Sequence, residues 1–441
     1  MNQQKSYYGH QTTLALSNFP FSMHTVQKEL IYAMVTVKKA AAMANATAGT
    51  IPVEIKDAIE QACDDILSGK FDNQFVTPAL QGGAGTSMNM NVNEVIATLA
   101  TEILSKQGKK IIVHANDHVN CSQSTNDVNP SALKIVCVTL LNKVIETVAS
   151  AEVIFLEKSV EYTDVVKLGR THLQDAIPTT LGAELGAYAA ILNRHKRHLQ
   201  EILPYLYELN LGGTAIGNSI NAPEKYIDAV YTSLQKVTKI PVKKAENLMS
   251  QTSSQTDFVM LSQALVLVTL DLSKIASDIR LLSSGPNGGL GEISLQNLQA
   301  GSSIMPGKIN PVLPESINQL YFLVSGNNLT IEQAAQGAQL ELGVMFPILA
   351  DRLLTSLKLT AEVINNFMQK CILHIQANPE QCKEHLEKST AYATLLTPVL
   401  GYDKTSEIVK KALAQKKTIR QITLENNYLD KKTFDRLTTL K

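Results

Sequence analysis

The segment Gly301-Ser302-Ser303-Ile304-Met305-Pro306-Gly307-Lys308-Ile309-Asn310 sets two hydroxyls, a cation and a carboxamide close together in the chain. These groups form a compact kit for removing a carbon-bound proton beside a carboxylate. An activated hydroxyl serves as base, and the cation and amide hold the anion. Gly301, Pro306 and Gly307 punctuate the stretch too densely for a helix, so the spacing predicts a loop. A Ser/Gly-rich surface connector has the same composition and stands as the alternative.

Three further polar clusters interrupt the pattern: Gly83 to Asn91, Ser122 to Asp127, and Gly169 to Asp175. Each is expected immediately before or within the start of a helix. Unpaired N–H groups and the positive dipole end there suit an anion held by hydroxyls and carboxamides. Ser, Thr, Asn and Asp are equally ordinary N-cap residues. His172 is the histidine that falls inside a cluster with a neighbouring hydroxyl, Thr171. A packed, satisfied histidine is the plain reading, with Glu315 as a candidate carboxylate partner that would orient the ring. His195 and His198 sit in a basic helical stretch and read as solvated, and His114 and His118 are ambiguous.

Helices must position these clusters. Leu261, Leu265, Val268, Leu272, Ile275, Ile279 and Leu282 are spaced alternately four and three apart, the seam of a bundled helix. A second seam runs through Cys137, Leu141, Val144, Val148, Ala151 and Phe155. Leu140, Ile145, Val266, Leu267 and Leu270 widen both stripes, so these helices are expected to be buried on several sides. Pro130 can start the second-seam helix, and Ser284-Gly285-Pro286 stops the first. Another long helix is expected from near Pro314 towards Pro347. The chain reads as all-α. Its expected division is 1-127, a mainly helical N-terminal domain; 128-381, a long-helix bundle carrying a functional loop at 284-310; and 382-441, a small helical domain.

Composition narrows the function. The 441 residues are 44% apolar and 18% charged, enough for a large core and more than one unit. The 40 basic and 40 acidic residues cancel, so bulk charge suggests no nucleic-acid or membrane-surface partner. Cys63, Cys121, Cys137, Cys371 and Cys382 are scattered without metal-ligand spacing and read as free thiols. The N-terminal MNQQKSYYGHQTT has no apolar leader core, and no later run of about 18 apolar residues is expected to span a bilayer. A cytoplasmic protein is the expectation. Nucleotide-binding, HExxH and GxSxG patterns are missing, as is the Ala-Ser-Gly triplet that builds an electrophilic prosthetic group. A cofactor-free, metal-free reaction is the economical reading.

The four clusters, in their order, resemble the fumarase/aspartase superfamily, and GSSIMPGKIN is similar to its signature loop. The resemblance runs from Tyr7-Tyr8-Gly9 to the C-terminal unit. It implies a three-domain all-α fold whose long helices build a homotetramer, with active sites shared by three subunits. Ser302 would be the base taking the Cβ proton. Lys308 and Asn310 would bind carboxylate, with Ser303 beside them. Thr86, Ser124, Thr125, Asn126, Thr171 and His172 would surround the substrate carboxylates and leaving group, and Glu315 would pair with His172.

Tyr7-Tyr8-Gly9, Gly83 to Ser87, Gln123 to Asp127 and Asn310 to Glu315 look more like the aspartase branch. That branch converts L-aspartate to fumarate and ammonia. His114-Ala115-Asn116-Asp117 and Gly289 to Ser294 lean towards class II fumarases. Leu14 and Asn287 stand where relatives usually carry Arg, Phe346 where aspartases tend to carry Glu, and Asn218-Ser219 where Thr-Gly is usual. A bidentate Arg cannot be mimicked by Leu or Asn, so another amino dicarboxylate stays open, as does a non-enzymatic scaffold descended from a lyase.

Overall fold

The computed structural model describes residues 5–439. The first four residues of the N-terminal stretch read above lie outside the described ones. The chain opens with α1 (His10–Asn18), α2 (Lys28–Ala48), α3 (Val53–Leu67), α4 (Thr86–Lys106) and α5 (Thr125–Glu161). A hairpin of β1 (Val166–Thr171) and β2 (Gln174–Thr180) leads into α6 (Leu181–Tyr207) and β3 (Glu208–Leu209). Then come α7 (Glu224–Thr238), β4 (Lys243–Lys244), α8 (Leu248–Ser253), α9 (Thr256–Leu282) and β5 (Ile293–Ser294). The chain continues through α10 (Val312–Gln336), α11 (Phe346–Lys370) and β6 (Gln376–Ala377). It finishes with α12 (Pro379–Lys388), α13 (Tyr392–Leu400), α14 (Tyr402–Gln415), α15 (Ile419–Glu425) and α16 (Lys431–Thr438). Helix dominates, and the strands pair only two by two, so the fold is all-α.

Two compact units are distinguished. The first comprises residues 1–145, 197–267 and 322–360. In it α2 packs on α7 and α3; its small residues Val37, Ala40, Ala41 and Ala44 are fully buried, as are Val230 and Leu234 on α7. Small side chains let the helix axes approach closely. The second unit comprises 146–196, 268–321 and 361–441. Its C-terminal helices gather around Leu386, Leu396, Ile408, Ile422 and Phe434, and Leu168 of β1 belongs to the same cluster. The division at 127 and 381 expected from the sequence stays a proposal.

Every residue of both seams is buried, most of them completely. The flanking stripe behaves differently. Leu267 and Leu270 are 47% and 42% exposed, so α9 is covered on fewer sides within one protomer than its apolar width suggests. The long helix expected from near Pro314 towards Pro347 is α10, which ends early at Gln336; a turn in which Gln339 and Leu342 bridge separates it from α11. Gly337 and Gly343 bound this break, and a Cβ at Gly343 would fall 2.3 Å from Nε2 of Gln255.

Helix α5 starts at Thr125 rather than Pro130, which sits inside it. The missing proline N–H leaves the Asn126 carbonyl free, and Asn210 Nδ2 donates to it at 3.1 Å. One helix among the described residues, α9, is long and apolar enough to cross a membrane by length and composition alone. Its most apolar window is 56% buried inside the protein, as a core helix is.

Candidate active site

The first unit holds one group of the expected residues. Gly83, Ala84 and Gly85 all take positive φ, turning the chain sharply into the start of α4. Asn129 Nδ2 clamps this turn, donating to the carbonyls of Ala84 and Gly85 at 3.2 Å each. A Cβ at Gly85 would lie 2.6 Å from that nitrogen, so only glycine fits. Thr86 follows at the helix N-terminus, exposed, its hydroxyl donating to Gly83 O at 2.7 Å. Ser124 Oγ accepts the Asn126 N–H at 3.2 Å, Asn89 Nδ2 donates to Thr125 Oγ1 at 3.2 Å, and Asn126 Nδ2 donates to Ala215 O at 2.8 Å. Thr125 and Asn126 line one small crevice, with Phe346 on its wall.

Two buried charges lie in the same unit: Asp127, which ends one of the polar clusters, and Lys38, which sequence reading passed over. Asp127 is fully buried and accepts N–H bonds from Ser124, Gly212 and Thr214 at 2.9, 3.0 and 3.0 Å. Burial pushes its carboxyl up to about 6 against those donors and the attraction of Lys38. Lys38 is likewise buried and donates to Asn120 Oδ1 at 2.7 Å. Desolvation pushes it down to about 7, opposed by Asp127. Asn120 Oδ1 also accepts from Asn89 and Asn93, tying α2 and α4 to the segment before Ser124. The signal available in the sequence was a lysine in an alanine-rich apolar run.

The second unit holds the loop. It runs unhelical from the end of α9 to the start of α10, as the punctuation predicted. Gly301 meets Lys308 so closely that a Cβ would fall 1.8 Å from the Lys308 carbonyl, and Asn310 Nδ2 donates to Gly301 O at 2.6 Å. These contacts close 301–310 into a ring. Inside it Ser302 Oγ accepts two backbone N–H bonds, from Ile304 at 3.2 Å and Met305 at 3.1 Å. Donors aimed at a hydroxyl oxygen favour its alkoxide. Ser303 and Lys308 are exposed.

Lys308, Asn310 and Glu315 line one cleft of about 710 Å³, together with Arg280. Arg280, at the end of α9, donates to Asn318 Oδ1 at 2.9 Å. The cleft therefore carries a guanidinium that the chain lacks at Leu14 and Asn287. Leu14 is 43% exposed on α1, and Asn287 is exposed in the loop.

Thr171 and His172 lie elsewhere in this unit, and not at a helix start. They sit at the tip of the β1–β2 hairpin, where Thr171 pairs with Gln174 and His172 and Leu173 form the two-residue turn. Both turn residues have positive φ, 54° and 60°, a backbone that ordinarily selects Asn or Gly. Among the described residues no hydrogen bond or ion pair joins the exposed His172 to Glu315. The expectation of a helix start failed here because hydroxyl-rich punctuation signals turns and helix caps alike.

Behind the hairpin sits a charge cluster. Glu292 is fully buried in the functional loop, with Arg170 at 2.7 Å, Lys167 at 2.9 Å and His385 at 2.9 Å. Lys167 also pairs with Glu184 at 2.8 Å. The Lys167 contact satisfies Glu292 Oε2 by charge while falling short of hydrogen-bond geometry. Asn378 donates to Gly291 O at 2.6 Å and, through its N–H, to Glu292 O at 2.9 Å. The base of the loop is thus bound to β1 and to the start of α12.

A helical frame, a glycine-closed serine ring and hydroxyl-lined helix starts are the features of a lyase of the fumarase type, and comparisons agree. The family model "Lyase" matches residues 2–326 and "Fumarase C C-terminus" matches 393–441. The chain is 42% identical to the aspartate ammonia-lyase of Bacillus subtilis over 97% of its length and 90% of that protein's. It is 43% identical to the Helicobacter pylori J99 aspartate ammonia-lyase, covering 97% and 92% of the two chains. Among solved structures, a fumarate lyase:delta crystallin from Brucella melitensis bound to cobalt superposes with a TM-score of 0.94 at 42% identity, covering 98% and 95%. A class II fumarase from Schistosoma mansoni gives 0.93 at 34%, covering 99% and 95%. The chain belongs to the fumarase/aspartase superfamily, and it is a lyase.

Proposed function

We propose that the protein deaminates L-aspartate reversibly to fumarate and ammonia. The observation that carries this reading is the Ser302 hydroxyl, held by two N–H donors inside a ring that also carries Lys308 and Asn310. The identity with aspartate ammonia-lyases supports the choice of substrate. A carbon-bound proton beside a carboxylate is weakly acidic, and its loss puts a second negative charge on that carboxylate as an aci-carboxylate. Preorganised donors at that charge are the largest contribution to rate. Ser302 takes the Cβ proton. Lys308 and Asn310, with Ser303, hold the adjacent carboxylate. Thr86, Ser124, Thr125, Asn126 and Thr171 receive the other carboxylate and the amino group, and His172 with Glu315 completes the set. These groups come from a homotetramer in which three subunits share each site, and closure of the 284–310 loop excludes water.

Fumarate hydration is the second reading, favoured by the superposition with the Schistosoma mansoni class II fumarase. Fumarate's conjugated absorbance separates the two. Purified protein mixed with L-aspartate is expected to develop ultraviolet absorbance, and with L-malate none. A signal with malate alone overturns the proposal, and silence with both points to a different amino dicarboxylate.

A further inference from the structure

The crevice beside Thr125 carries two buried acceptors that the reaction described above leaves unused. Asn129 is 1% exposed and spends both amide hydrogens on Ala84 O and Gly85 O. Those bonds fix the orientation of the amide, so Oδ1 must face away from the turn, and among the described residues it has no partner. Gln255 is 5% exposed, its amide is packed against Gly343, and its Oε1 is also without a partner. Both residues line the crevice with Thr125, Asn126, Thr252 and Phe346.

Buried carbonyls without donors call for an occupant. Two such acceptors, on residues that line one space, select a species that donates hydrogens. The lining contains no ionised side chain, which disfavours a divalent metal, since such ions require carboxylates. The space, about 10 Å³ for the centre of a water-sized particle, is far below ordinary small-molecule pockets and holds about one such particle. It suits a particle the size of water. An aromatic ring on the wall is the apolar surface that best tolerates a cation.

We propose that this crevice is an ammonium subsite, holding the released amine between Asn129 Oδ1 and Gln255 Oε1 beside the hydroxyl of Thr125. The proposal rests on the deamination reading and deepens it. It places the leaving nitrogen's exit on α5 and the segment before α9, and it gives Phe346 a purpose. A ring there in place of a carboxylate admits a monovalent amine without trapping it.

Two measurements test this. In the amination direction, with fumarate and ammonium chloride, Gln255→Met is expected to raise the ammonium KM at least tenfold while the fumarate KM stays within twofold. An unchanged ammonium KM, or a parallel rise in both, overturns the proposal. The second readout needs no turnover: the 15N-ammonium resonance is expected to broaden with the wild-type protein and not with Gln255→Met. No broadening with wild type means the crevice holds only water, and equal displacement by potassium means a general cation site; either overturns the proposal. If fumarate is not aminated yet the broadening appears and is lost in the variant, the substrate assignment fails and the subsite stands. Gln255→Glu, which keeps size and acceptors, covers the case in which the methionine variant fails to fold. It is expected to bind ammonium more tightly, and weaker binding counts against the subsite.

Discussion

A serine hydroxyl is a poor base in water, and the geometry around Ser302 addresses that weakness directly. Its oxygen accepts from Ile304 and Met305, while Lys308 in the same ring supplies positive charge nearby. Ser302→Ala is expected to lower kcat by about 10²–10⁴, the usual contribution of a positioned base, with the melting temperature unchanged. Near-normal kcat in that variant would remove Ser302 from the mechanism. Gly301 tests the ring itself. Because its Cβ would collide with the Lys308 carbonyl, Gly301→Ala must open the ring and carry Ser302 with it. A loss of kcat/KM of about tenfold or more, with global stability within about 1 kcal/mol, is the expected result, since the segment lies outside the helical core. Both residues were legible in the sequence, where Gly and Ser stand adjacent. Arg280 was not, because nothing in a basic residue at a helix end says which cleft it will face.

At the scale of elements, Glu292 decides how the loop is held. Burial alone would raise its carboxyl, but Arg170, Lys167 and His385 outweigh that and hold it below its ordinary 4.5. A lowered carboxyl contributes stability that is present above pH 4.5 and lost as pH falls through the folded value beneath it. The wild-type melting temperature should therefore drop as the pH is taken below that point. Glu292→Gln leaves Lys167 and Arg170 buried with less compensation and should cost about 3–5 kcal/mol at pH 7. Its melting temperature should also vary less across the acid range. Thermal melts from pH 7 to pH 3 check both features, and a variant curve parallel to wild type would contradict the role given to this cluster. The hairpin shows the converse limit of pattern reading. Thr171 and His172 were found as chemistry-bearing residues, yet their element was mistaken, because the turn is built from His and Leu in a left-handed backbone that neither residue advertises.

For the whole molecule, the exposed apolar surface points to assembly. Val153, Leu156 and Val160 share one face of α5 and are 51%, 47% and 77% exposed. Apolar stripes of this kind on a long helix mark interfaces. The homotetramer proposed above would cover them. Leu156→Glu combined with Val160→Glu is expected to dissociate the assembly in analytical ultracentrifugation and to abolish turnover with it, since no single subunit brings His172 to Glu315. A fully active monomer would overturn the shared-site arrangement. The same kind of exposure explains why Leu267 and Leu270 on α9 read as core positions: periodicity records that a residue avoids water, and not which chain covers it.

The sequence by itself determined the all-α class, both buried seams, the glycine-punctuated serine loop and the family. Each of these is written in local spacing, and spacing sets which side of a helix meets water. Only the tertiary structure decided the rest. Glu292 meets Arg170 and His385 across more than ninety positions, as the pairs themselves show. Asn129 and Gln255 come to line one crevice, and Lys38 comes to lie near Asp127. Such pairings depend on how helices far apart in the chain are laid side by side, and a single buried charge or amide leaves no periodic trace.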